Sequence, residues 1–128
     1  MKPIRITFLA LTFSFFIFFS SFAIAAKIEY RIPIYCNTNS MGTTLDCHDT
    51  VYFTVVLSGD KLKVGEIYAY RPQYDRWPGL VPGDWILHRL VAINGTQLTF
   101  KGDNNPSEDP VVTRQYVNFK VSRIIKSK

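Results

Sequence analysis

Three short runs in this 128-residue chain hold side chains able to do chemistry. Asn39-Ser40-Met41-Gly42-Thr43-Thr44-Leu45 offers a hydroxyl in a polar stretch. Asp84-Trp85-Ile86-Leu87-His88-Arg89-Leu90-Val91 sets an imidazole in an apolar run. Lys101-Gly102-Asp103-Asn104-Asn105, with Asp109 after it, supplies carboxylates. A serine hydroxyl is inert at its own pKa and becomes a nucleophile only beside a base. Neutral imidazole is such a base near neutral pH, because its ordinary pKa is about 6.5. Its second nitrogen then needs a partner that fixes tautomer and orientation. Ser40, His88 and either Asp103 or Asp109 supply these three types, and triads of this kind are defined by geometry rather than chain order. Singly, each has a plainer meaning: a loop serine is usually a turn residue, and a lone strand histidine is usually structural.

Metal chemistry is disfavoured. Asp103, Asn105, Ser107 and Asp109 alternate like the start of a calcium loop, but position six is Glu108 rather than Gly and position twelve is Arg114 rather than Glu. Cys36, Cys47 and His48 lack the paired short spacing of a structural zinc site. No metal and no cofactor is expected.

Taken together and in this order, the runs resemble the signal peptidase I family, in its archaeal and endoplasmic-reticulum branch. There a Ser-Met pair follows a membrane helix, matched here by Ser40-Met41. A Gly-Asp pair opening a strand is matched loosely by Gly65-Glu66. A His-Arg pair in an apolar strand is matched by His88-Arg89. The Lys-Gly-Asp-Asn-Asn run with a further Asp is matched by Lys101 to Asn105 and Asp109. The resemblance runs from the membrane helix to Val121. It implies Ser40 as nucleophile, His88 as general base, and Asp103 and Asp109 in support. The bacterial branch has Lys where this branch has His, so His88 decides the sub-branch. The Ser40 backbone N–H and the Thr38 hydroxyl are oxyanion-hole candidates. The substrate is expected to lie extended along a strand edge. The chain departs from the pattern at Asn39, where relatives have Gly, and at Thr43, where many have Pro. Its Cys pair and its long segment Arg71–Gly83 depart as well. These departures bear on loop shape and specificity more than on chemistry.

The elements that must position these residues read as strands. Val51–Leu57 is β-branched and aromatic and stops at Ser58-Gly59-Asp60. Glu66–Tyr70 follows Gly65. Arg71–Gly83 holds three Pro and two Gly and reads as a loop. Asp84–Ile93 reads as a strand that returns through Asn94-Gly95, the strongest short hairpin signal, into Thr96–Lys101. Gly102–Pro110 is a polar loop, and Val117, Phe119 and Val121 alternate into a last strand. The same Asn94-Gly95-Thr96 is a glycosylation sequon, for which the turn is sufficient explanation. The fold class is mainly β: a small sheet or barrel-like peptidase domain, residues 27–128, after one N-terminal transmembrane helix, residues 1–26.

That helix is expected from Ile6–Ala26, 21 residues without a charge that hold seven of the ten Phe. A helix of this length spans about 30 Å, enough for a bilayer core. The segment exceeds a signal-peptide core of about 7–15 residues, which favours an uncleaved anchor; Ala23-Ile24-Ala25 keeps a cleavable signal as the alternative. Lys2 and Arg5 favour a cytoplasmic N-terminus and an extracytoplasmic domain. There, Cys36 and Cys47 read as a disulfide closing a twelve-residue loop, worth roughly 3 kcal/mol, with two free thiols as the alternative. Tyr30, Tyr35, Trp77 and Trp85 can seat the domain at the bilayer, although core packing explains Trp85 equally well. Thirteen of the fifteen basic residues and all ten acidic ones lie beyond Ala26. So mild an excess, with no basic run, argues against nucleic acid. The expected partners are precursor proteins bearing signal peptides and the lipid bilayer. The expected function is a membrane-bound serine endopeptidase that removes signal peptides. The alternatives are a related peptidase with a narrower client, such as a pilin or conjugation protein, and an inactive β-module binding a partner at the membrane.

Overall fold

Short runs of β-branched and aromatic residues, cut by Gly, Pro and Asn, set the architecture of this protein. The computed structural model describes residues 27–31, 38–73, 80 and 83–128. The expected membrane helix over residues 1–26, Cys36 with its proposed bridge to Cys47, Tyr35 and Trp77 lie outside the described residues. No helix among the described residues is long and apolar enough to cross a membrane.

Seven strands form one antiparallel sheet: β1 Glu29–Arg31, β2 Thr50–Val55, β3 Ile67–Tyr70, β4 Ile86–Asn94, β5 Gln97–Lys101, β6 Val112–Thr113 and β7 Val117–Ile125. A 3-10 turn, Arg114–Tyr116, feeds β7. Their order across the sheet is β1-β2-β7-β3-β4-β5-β6. β3, β4, β5 and β6 thus form a meander, and the C-terminal strand β7 inserts between β2 and β3. Register shifts in β2–β7, β3–β7 and β4–β5 mark bulges, which bend strands and increase twist. Both faces of the curled sheet carry a core. Tyr68, Tyr70, Ile86, Leu90, Leu98 and Phe100 belong to one, and Met41, Val51, Phe53, Ile67, Ala69 and Val121 to the other. Central β3 is therefore buried at all four positions, its side chains alternating between the two cores.

The strands expected from sequence are present, with shifted ends. β3 starts one residue late and β4 runs two residues later than Asp84–Ile93 at its start. The hairpin is offset by one residue as well. Asn94 pairs with Gln97, so Gly95 and Thr96 are the central turn residues. Gly95 has φ +60° and no non-glycine residue among those described has positive φ, the pattern of a II′ turn with Gly first. β1 and β6, three and two residues long, were not expected; each pairs along one side only and forms an edge.

Candidate active site

His88 is placed by the alternation of β4. Ile86, His88 and Leu90 face one way and are buried; Leu87 and Arg89 face the other and are half-buried. An imidazole, only 6% exposed, therefore enters an apolar core. A buried polar group needs a partner, and Asp109 provides it. His88 Nδ1 lies 2.5 Å from Asp109 Oδ2, with both side chains under one-tenth exposed. An ionised carboxylate only accepts hydrogen bonds, so Nδ1 donates and the neutral ring offers its lone pair at Nε2. No buried side-chain nitrogen or oxygen among the described residues lacks a partner. The Tyr70 hydroxyl donates to the same Asp109 oxygen at 2.6 Å. Burial, and then the neighbouring carboxylate, push the Tyr70 hydroxyl well above the usual phenol range, so it stays protonated.

Asp109 reaches this position because its loop is closed on itself. Its backbone N–H donates to the Phe100 carbonyl at 2.8 Å, and Asn105 N–H to the Gly102 carbonyl at 2.9 Å. β5 ends at Lys101 opposite Arg89. Gly102 then leaves the sheet at the step of the ladder that follows, beside His88.

The same loop grips the segment that carries Ser40. Asn104 N–H donates to the Ser40 carbonyl at 2.8 Å, and the Asn104 side-chain amide to the Asn39 carbonyl at 3.0 Å. A Cβ at position 102 would sit 2.6 Å from the Ser40 carbonyl oxygen and 2.7 Å from Asn105 Nδ2, so only glycine allows this approach. Met41, 4% exposed, anchors the segment from the opposite side by packing into the second core. The pairing of Ser with Met thus has a local cause: the sulfur-containing side chain is buried while its neighbour stays half-exposed at the surface.

Asp103 turns away from the imidazole. Arg89 grips it with two parallel hydrogen bonds, Nε to Oδ1 at 2.8 Å and Nη2 to Oδ2 at 2.7 Å. Thr44 donates to it at 2.5 Å, tying it to the serine segment. The remaining Arg89 arm donates to the Gly65 carbonyl at 2.6 Å. The Arg89 guanidinium holds the Asp103 carboxyl below the usual carboxylate range, and the same pairing pushes Arg89 up. The sequence left open which aspartate touches the imidazole; Asp109 does, and Asp103 staples loops.

Ser40 accepts a hydrogen bond from the Thr38 hydroxyl at 3.2 Å. No hydrogen bond joins Ser40 to His88 among the described residues; the two are fixed separately, on either side of the Gly102–Asn105 turn. His48 stands apart, exposed, and its backbone N–H donates to Asp46 Oδ1. Asp46, Cys47 and His48 bring their ligand atoms within 4.8 Å of one another, but all three are exposed on one turn. Sequence reasoning missed Tyr70, which reads only as a strand aromatic, and gave no role to Asn104 and Thr44, whose partners lie 59 or more residues away. A scan of family models, of curated proteins and of solved structures finds no match to this chain.

Proposed function

We propose that the protein is a membrane-bound serine endopeptidase that removes signal peptides. The observation that supports this most is the buried His88–Asp109 pair, whose aspartate lies on the loop that grips Ser40.

In this reading Ser40 Oγ attacks the scissile carbonyl as His88 Nε2 takes its proton. Asp109 keeps Nδ1 protonated and stabilises the imidazolium that forms. The Ser40 backbone N–H and the Thr38 hydroxyl serve the oxyanion; Thr38 must first release Ser40 Oγ. His88 then returns the proton to the leaving amine, and water repeats the sequence on the ester. The absence of a Ser40–His88 hydrogen bond fits an enzyme without substrate, since such bonds often tighten only in the complex. Asp103 acts at a distance, by joining Arg89, Thr44 and Gly65 around the serine segment. The anchor of residues 6–26 would hold this site at the surface where a signal peptide emerges, raising its effective concentration.

Cleavage of a secretory precursor by the purified full-length protein, beside Ser40→Ala, tests the reading. Ser40→Ala should fold normally and lose several orders of magnitude in turnover. Equal rates for the two would overturn it.

A further inference from the structure

The geometry points to Tyr70 as the positioning residue of the His88–Asp109 pair, which it serves through its hydroxyl. This rests on the peptidase reading above for its effect on turnover, but not for its effect on the imidazole.

Asp109 sits on a loop, and a loop carboxylate can rotate. Two donors converge on its Oδ2: His88 Nδ1 at 2.5 Å and the Tyr70 hydroxyl at 2.6 Å. They come from adjacent strands. Tyr68 pairs with His88 and Tyr70 with Ile86, so Tyr70 and His88 lie diagonally on one face. Asp109 bridges that diagonal. Tyr70 is itself immobile: it is fully buried, and its ring stacks on Phe100 at 4.4 Å and 27°. The hydroxyl is thus a fixed point in the sheet against which the carboxylate is set. Ring packing alone would be met by phenylalanine; the oxygen is what an orienting function requires.

The test is Tyr70→Phe in the full-length protein, with two readouts. The first is the proton resonance of His88 Nδ1–H, assigned by its loss in His88→Ala. The carboxylate keeps this proton in slow exchange in the wild type, and Tyr70→Phe should shift or broaden it. The second is turnover of a signal-peptide substrate: kcat should fall about ten- to a hundred-fold with KM nearly unchanged, as for a misplaced catalytic group. A changed resonance in a protein that cleaves nothing would leave the positioning inference standing and remove the peptidase reading. If Tyr70→Phe folds poorly, 3-fluorotyrosine labelling keeps the hydroxyl and strengthens it as a donor, and should move the same resonance. A resonance unmoved by the substitution or by the label, whatever happens to thermal stability, would overturn the inference and leave Tyr70 as core filling.

Discussion

Asp103 and Asp109 lie on one short loop, carry the same functional group, and do opposite things. Asp109 turns inward, its side chain 6% exposed, and meets an imidazole and a phenol. Asp103 turns outward, its side chain 23% exposed, and meets the full charge of Arg89. A carboxylate with no arginine or lysine beside it can answer a charge that forms on a neighbouring ring. A carboxylate locked to guanidinium has its charge already answered and serves as a joint. The loop's two ends thus do different things: one end holds the His88 imidazole, the other the backbone of the Ser40 segment, and under the proposed function these are the base and the nucleophile.

The strongest way to break this division is to remove the base. His88→Ala should abolish precursor cleavage, by several orders of magnitude, while His48→Ala should stay near wild type, because His48 is exposed and the buried carboxylate beside it, Asp49, is held by Lys126 instead. Activity lost in His48→Ala and kept in His88→Ala would reverse the assignment.

Gly102→Ala acts on both ends at once. The new Cβ would press on the Ser40 carbonyl and the Asn105 amide, both closer than 3 Å. The serine segment must back away. Overpacking of this kind costs roughly 1–3 kcal/mol, and a displaced nucleophile should lower kcat about a hundred-fold. Circular-dichroism melting together with single-turnover cleavage reads both; an unaltered kcat would mean that the Gly102–Asn105 turn does not place Ser40.

Asp103 has a pH signature. Its folded-state pKa is depressed by Arg89, so its contribution to stability is present above the unfolded aspartate value, about 3.9, and is lost as pH falls through the lower folded value. Asp103→Asn should therefore melt several degrees below wild type near neutral pH, on the order of 1 kcal/mol. The two melting curves should converge as the pH drops below that range. A gap that stays constant down to strongly acidic pH would mean that the Arg89 pairing is not what Asp103 contributes.

Much of the sheet was legible because period-two alternation and turn chemistry are local. Asn94-Gly95 announced its hairpin, and Val117, Phe119 and Val121 announced β7. β1 and β6 were not legible, since three and two residues cannot display a period. The hairpin's one-residue offset comes from Asn94 pairing with Gln97, which puts Gly95 at the first central turn position, a matter of pairing rather than composition. At the candidate site, Ser40, His88 and the two aspartates could be named by type and order. Which aspartate meets the imidazole was not, because it depends on how a closed loop lies across β4 and β5. Tyr70 was hidden for a different reason: in sequence it is one more aromatic in a buried strand, and only the fold reveals that its oxygen ends on Asp109. The Gly102 requirement was equally invisible, because the atom it makes room for belongs to a residue 62 positions earlier.

The most direct measurement compares kcat for the full-length wild type, Asp109→Asn and Asp103→Asn on one secretory precursor. With the wild type active, Asp109→Asn should lose about 10⁴-fold, as expected when the tautomer of the base is no longer fixed. Asp103→Asn should lose only about ten-fold, as expected for a residue that acts through loop position. Equal losses, a greater loss in Asp103→Asn, or no cleavage by the wild type would contradict the division of roles between the two carboxylates.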